Sequence, residues 1–472
     1  MFEEFSITGK NLVPLDDPVT PQLNKLVSQE IYFSVIGDDI FLSSSLEKII
    51  LLHKELGNSV SICDELARSY LLSGLVVPPF TIYNNIYRMP VYSKFTESNG
   101  SFKLKLDASS LAADPFGNEA EIFENLRKII KADLKKVEPS SIVCTLSGGA
   151  DSAVLLSLLV ADSPTEKIDA LCCEMPGLKA EVNKAAEIAK VCDVNFVKYR
   201  PMLINPATVI DDYAREYKNL VFDPVVPVIS TMLHEYTTKN ELHSNIKICL
   251  VEGQGADTIL IGLPHAFTLA VYGLGLSSLF RILSRVFPEP TDDIRGRSRT
   301  FYRIIKSIHL LSAKTWQESI LHSLGLNQLK GTDYYSCYLE MIDHYFMVTK
   351  DRQKALVLFF LQVISTREMQ KYQMLSKNVI PILPFLDQEF VARCLASRTD
   401  MFFRFPFRKI PIFSKVKILY GDIFKSRKTF PFVVEYGSDK ITDELGLPVI
   451  QDDLSFRKYC LNILSKKINL EK

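Results

Sequence analysis

The run Ser147-Gly148-Gly149-Ala150-Asp151-Ser152 brings together what a polyphosphate site needs. Gly148 and Gly149 let main-chain N–H groups come close to phosphate oxygens, and the Ser147 and Ser152 hydroxyls add further donors. Asp151 would repel a phosphate unless a cation sat between them, so the hexapeptide implies Mg²⁺. No Gly-Lys-Ser/Thr follows, which sets the run apart from the usual P-loop of phosphoryl-transfer enzymes. A ligand-free glycine turn would account for two glycines. It would not account for the two hydroxyls and the carboxylate beside them.

A second run, Leu250-Val-Glu-Gly-Gln-Gly-Ala-Asp-Thr258, lies about a hundred residues later and leads into Ile-Leu-Ile-Gly262. Gly253 and Gly255 again permit close backbone approach, and Asp257 supplies a second carboxylate. Two carboxylates at separate strand ends can clamp a metal bound to a triphosphate.

Both runs need strands to carry them. The apolar, β-branched residues from Ser141 to Leu146 read as a buried parallel strand, with Leu146 at the nucleotide, and Ala153 to Val160 reads as the helix after the loop. Strands at Ile168–Glu174, Asn195–Tyr199 and Ile246–Val251 alternate with helices, including Ala180–Val191. This predicts an α/β fold with a doubly wound parallel sheet and a ligand at the C-terminal strand ends. The chain from about 265 to 400 reads as mostly helical. Arg281 to Arg303 reads as an exposed basic loop, a solvated face rather than a polyanion site. Ile259 to Phe280 is long enough to span a bilayer by count. It contains Gly262, Pro264, Gly273 and Gly275, and is assigned to the core.

The first ~115 residues read as a small β-rich unit. It has a hairpin turning at Gly37-Asp-Asp and helices at Leu46–Leu56 and Ile62–Ser73. Asp114-Pro-Phe-Gly-Asn118 is linker-like, and Ala120 to Lys136 is the amphipathic helix that enters the sheet. The expected domains are therefore 1–117 and 118–472.

Composition narrows the partners. The 472 residues carry 55 basic and 55 acidic side chains. That balance gives no electrostatic footprint for nucleic acid or an anionic membrane, so neither is an expected partner. The nine cysteines are scattered with no C-x-x-C, which reads as reduced thiols in a cytoplasmic protein. The seven histidines form no zinc pattern. The acidic start Met-Phe-Glu-Glu-Phe does not read as a signal peptide.

Ser-Gly-Gly-x-Asp-Ser resembles the signature of the ATP pyrophosphatases. With the second run, it resembles the synthetase domain of asparagine synthetase and its relatives, whose second motif reads Gly-Glu-Gly-x-Asp-Glu-x-x-x-Gly. Met175-Pro-Gly177 with Glu181-x-x-x-Ala185, Pro384-Phe-Leu-Asp387 and Arg427-Lys-Thr-Phe430 add to the likeness. So does Leu71 to Pro90, which is similar to the end of the family's glutaminase domain. The resemblance spans roughly 30–435. It implies an adenine nucleotide α-hydrolase-like sheet, a helical C-terminal part and a shortened, degenerate glutaminase-like domain. It also implies ATP and Mg²⁺ as cofactors, with Cys173 lining the adenine pocket.

The departures shape the expected reaction. Phe2 stands where the glutamine-dependent enzymes have a cysteine nucleophile, so glutaminase activity is not expected. Gln254 replaces the glutamate that contacts the attacking amine, and an amide cannot act as a base near neutral pH. Thr258 replaces an acid, and Ile382 replaces an arginine. The chain is closest in character to the members without glutaminase activity, the β-lactam synthetases and lasso-peptide cyclases. In the former a Glu-Met segment supplies a catalytic carboxylate, and Glu368-Met369 lies at a comparable spacing here. Lys428, with Arg427 as the alternative, is the candidate for stabilising the oxyanion.

The resemblance thus implies an ATP-dependent carbon–nitrogen ligase. It would adenylate a small-molecule or peptide carboxylate, release pyrophosphate and let a substrate amine capture the acyl-AMP. An ammonia-dependent amidotransferase acting on a small acid or sugar acid, and a tRNA- or nucleobase-modifying pyrophosphatase, are the alternatives. A homodimer is compatible with all of these.

Overall fold

The structure is a computed structural model that describes residues 8–16, 30–107, 111–163, 165, 168–174, 179–199, 206–223, 225–239, 247–263, 265–287, 298–373, 375, 378–424 and 453–470. At its centre is a parallel sheet of five strands. They are β1 (Ser141–Thr145), β2 (Ile168–Cys173), β3 (Asn195–Tyr199), β4 (Ile248–Val251) and β5 (Val379–Ile382), in spatial order β3-β2-β1-β4-β5. Val143 pairs with Leu250, and Thr145 with Leu171. The interior strands are continuous apolar runs because helices cover both faces. Ile248 to Val251 is buried at every position. The chain leaves β1 toward β2 on one side and returns to β4 on the other. The topological switch point therefore lies between β1 and β4, where a crevice opens at the C-terminal strand ends.

The helix Ala150–Val160 follows β1 and is apolar almost all round, as suits a helix enclosed by protein. The helix Ile410–Tyr420 packs on it, and the Tyr420 hydroxyl donates to the Ala153 carbonyl at 2.9 Å. The long helix Arg352–Arg367 is buried along most of its length and runs beneath the second motif.

The N-terminal part holds two small sheets. One orders the strands Asn11–Pro14, Asp39–Ser43, Tyr32–Ile36 and Tyr87–Arg88, and the expected hairpin lies within it. This part shares its core with the rest of the chain. Tyr70 and Val76 pack in one cluster with Tyr213, Phe222 and Phe456. The Gln362 side chain, on the long helix, accepts from Val91 N at 2.8 Å and donates to Val91 O at 3.3 Å.

Three expectations change. β5 lies in a region read as helical. Pro381 makes Val379-Ile-Pro-Ile382 a poor strand by propensity, but it is an edge strand, where a missing N–H is tolerated. Arg281 to Arg303 is not simply a loop: its described parts belong to the helices Ser277–Val286 and Ser298–Leu311. Ile259 to Phe280 is only half core. Ile259, Leu260 and Leu269 are buried, whereas Leu274, Leu276 and Leu279 are exposed, because the chain bends by 114° between His265–Tyr272 and Ser277–Val286. No single helix among the described residues is long and apolar enough to cross a membrane. All nine cysteines are free thiols.

Candidate active site

The first motif turns directly from β1 into the helix Ala150–Val160. Gly148 sits at φ +72°, and a Cβ there would lie 2.6 Å from the Glu181 carbonyl oxygen. A side chain at 148 would therefore lift the loop off the helix below it. The Ser147 hydroxyl accepts from Gly149 N at 3.3 Å and lies 3.4 Å from the Ser152 hydroxyl. Gly149 caps the helix with no side-chain hydrogen bond. The first-turn N–H groups and the helix dipole thus remain for an anion.

A cavity of about 740 Å³ opens over this loop. Leu146, Ser147, Asp151 and Ser152 line it together with Gly253, Gly255 and Asp257 of the second motif. On the β2 side its wall includes Leu171, Cys172, Cys173 and Met232. Burial pushes both thiols up to about 12, so they are neutral walls rather than nucleophiles. Cys173, expected to line the adenine pocket, lines this cavity. Met175-Pro-Gly177 lies outside the described residues.

The two motif carboxylates meet on a residue that the sequence reading did not single out. Lys409 Nζ lies 2.6 Å from Asp151 Oδ2 and 2.8 Å from Asp257 Oδ1. Lys409 is buried, and its backbone is left-handed, at φ +49°, which costs a non-glycine residue ~1 kcal/mol. Gly262 leaves it room, since a Cβ there would sit 2.5 Å from Lys409 Cδ and 2.8 Å from Asp257 Oδ1. Burial pulls the Lys409 pKa down, but the two carboxylates outweigh it and hold the ammonium above its ordinary range. Burial pushes Asp151 up; Lys409 opposes that and Asp257 adds to it. Asp151 Oδ1 is buried with no hydrogen-bond partner among the described residues. Asp257 is 65 % exposed at the cavity. An orphaned carboxylate oxygen beside an open carboxylate is a donor set that suits Mg²⁺ arriving with a polyphosphate.

A second network surrounds Gln254. Lys371 Nζ donates to Gln254 Oε1 at 3.1 Å and to Glu252 Oε2 at 2.7 Å, and Tyr372 also donates to Glu252. Glu252 is buried. It is the nearest carboxylate in sequence to the position where an acid was expected. Glu368 lines the same cavity at the end of the helix Arg352–Arg367. Arg367 lies 3.3 Å from Glu368 and 3.3 Å from Asp223. Burial raises the Glu368 pKa, with Arg367 and Lys371 pulling the other way. The fold thus gathers both motifs, Gln254, Cys173 and Glu368 around one cavity. Arg427 and Lys428 lie outside the described residues.

The family model described as asparagine synthase matches residues 124–409 and ends on Lys409. No curated protein matches the chain. Solved structures that are similar to it in part include the following three. An NH3-dependent NAD synthetase from Campylobacter jejuni is 13% identical, over 53% of this chain and 96% of that one, with a TM-score of 0.24. A U34-tRNA thiolase from Methanococcus maripaludis is 11% identical, over 53% and 82%, with a TM-score of 0.25. A glutamine-dependent NAD+ synthetase from Acinetobacter baumannii is 12% identical, over 74% and 70%, with a TM-score of 0.24.

Proposed function

The chain belongs to the asparagine synthase family, and from that premise we propose that it joins a carboxylate to a substrate amine at the expense of ATP. Family membership supports an ATP-using, amide-forming ligase. The observation that carries the finer reading is the meeting of Asp151 and Asp257 on Lys409 above the phosphate loop.

A carboxylate and an amine do not condense unaided in water. The substrate carboxylate oxygen attacks the α-phosphorus of ATP, and the bond to the β-phosphate oxygen breaks, giving acyl-AMP and pyrophosphate. The loop N–H groups and the Ser147 and Ser152 hydroxyls bind the β,γ-phosphates. Asp151 and Asp257 would hold Mg²⁺, which when bound supplies positive charge against that of the departing pyrophosphate. Lys409 holds the two carboxylates aligned before the nucleotide enters.

The amine then attacks the acyl carbon, AMP leaves, and the amine's proton passes to a base. Gln254 cannot take it. Glu368, whose pKa burial raises, is the base we assign, and Gln254 positions the amine through its bond to Lys371. Lys428 is assigned to the oxyanion, where a preorganised cation contributes ~3–4 kcal/mol.

Acid-dependent exchange of pyrophosphate into ATP tests this reading. Exchange in wild type and its loss in Asp151→Asn would support it. ATP hydrolysis to ADP and phosphate, with no exchange for any acid, would refute it.

A further inference from the structure

The cavity has an arm that the nucleotide does not explain. The helix Arg352–Arg367 presents Phe360, Val363 and Ile364 to it at positions i, i+3 and i+4, which share one helix face. Leu263 and Leu324 line it from neighbouring elements. One turn beyond Val363 and Ile364, the same face carries Arg367 and the helix-capping Glu368, and beyond the helix lies Lys371. The lining therefore changes from apolar to charged along a single direction.

Two hydroxyls in the apolar part are already committed. The Ser323 hydroxyl donates to the Ile320 carbonyl at 2.6 Å, and the Ser73 hydroxyl to the Ser69 carbonyl at 2.8 Å. His265 stacks on Phe360 with ring centroids 4.7 Å apart, and burial holds it neutral, at about 4. Its Nδ1 is buried with no partner among the described residues. A charged or amide-bearing substrate side chain placed here would lose its water and gain at most one hydrogen bond. An aliphatic or aromatic one would lose nothing and bury apolar area.

The arm also reaches the chemistry. Leu263 follows Gly262, whose Cβ position would touch Asp257 Oδ1 at 2.8 Å, so the apolar wall begins beside the motif that faces the phosphates. On the adenylation reading the amine is handled one helical turn further along, at Glu368. We infer that the acid adenylated here bears an apolar body, aliphatic or aromatic, that lies along Phe360, Val363 and Ile364. The arm thus selects against short polar acids such as aspartate.

The inference rests on the adenylation reading, and the test separates the two. Exchange would be measured with aspartate, with straight-chain acids from propionate to octanoate and with phenylacetate. Binding of the same acids would be followed directly by calorimetry. The expected result is exchange with the apolar acids, with KM falling about fourfold for each added methylene. Val363→Phe should fill the arm and remove the longer acids. Because that variant can overpack the core, Ile364→Val provides a milder check: it should raise the octanoate KM about two- to fourfold, with ATP affinity as the fold control. Exchange driven by aspartate but not by apolar acids would overturn the inference and leave adenylation standing. Calorimetric binding of apolar acids, sensitive to Ile364→Val but without exchange, would uphold the arm and sink adenylation. Binding of apolar amines in place of acids, or no binding of any apolar acid, would overturn the inference.

Discussion

Lys409 Nζ lies 2.6 Å from Asp151 Oδ2, across 258 residues of sequence. The contact joins the first loop to the start of the helix Ile410–Tyr420. It gives the buried edge of the phosphate site a positive charge before any nucleotide is present.

Removing that charge should leave carboxylates uncompensated. Lys409→Met is expected to cost about 2–4 kcal/mol of stability in urea unfolding. This is the cost of breaking a buried ion pair, reduced because Asp257 is largely exposed. Mg²⁺ with ATP should restore part of the loss by binding the folded state. An unchanged midpoint without ligand would show that the pair contributes nothing.

Asp257→Asn tests the clamp with little risk to the fold, because the side chain faces the cavity. Pyrophosphate exchange should fall by roughly 10²–10³, the range for weakening the positive charge, here the Mg²⁺ that Asp257 would hold, that offsets developing charge. Thermal unfolding should change little. Near-normal exchange would reduce Asp257 to a partner of Lys409 only.

Glu368→Gln should separate the half-reactions. Exchange should persist while single-turnover capture of acyl-AMP slows by about 10²–10⁴, the usual contribution of a general base. The base must be ionised, and burial raises its pKa. The wild-type capture rate should therefore decline with falling pH sooner than an ordinary carboxylate would allow. The variant should lack that decline. If its capture rate matches wild type, Glu252 is the next candidate.

His265 gives a stability prediction. Burial, and secondarily Lys306, lowers its pKa from 6.5 to about 4. Between those values the unfolded chain binds the proton and the folded one does not, so stability rises with pH. The contribution is complete above pH ~6.5 and is lost as pH falls toward 4. Acidification from pH 7 to 5 should cost about 1–2 kcal/mol through this group. His265→Gln should show a flatter profile over that window, and parallel profiles would place the acid sensitivity elsewhere.

The sequence carried the sheet and both loops because their signals are local. A buried run such as Val143–Leu146 followed by two glycines specifies strand, turn and helix within twenty residues. Lys409 was not legible that way. It stands in a short Arg-Lys pair like many others, and only the tertiary fold brings it to Asp151. Glu252 was overshadowed by Gln254, two residues on, and its partners Lys371 and Tyr372 are more than a hundred residues away. β5 was missed because Pro381 argues against a strand, and only its place at the sheet edge makes that harmless.

The exchange of hydrogen bonds between Gln362 and the Val91 main chain has a consequence for inheritance. An amide inside the helix that walls the substrate arm takes two of its hydrogen bonds from a segment near the N-terminal sheets. A gene trimmed to the part after residue 117 would encode a chain in which that buried amide loses both bonds to Val91. It would also lack Ser73 and Leu75 from the cavity rim. The N-terminal segment thus completes the packing of the chain that follows it. Selection for a foldable chain is enough to retain it, whether or not it ever performs a reaction of its own.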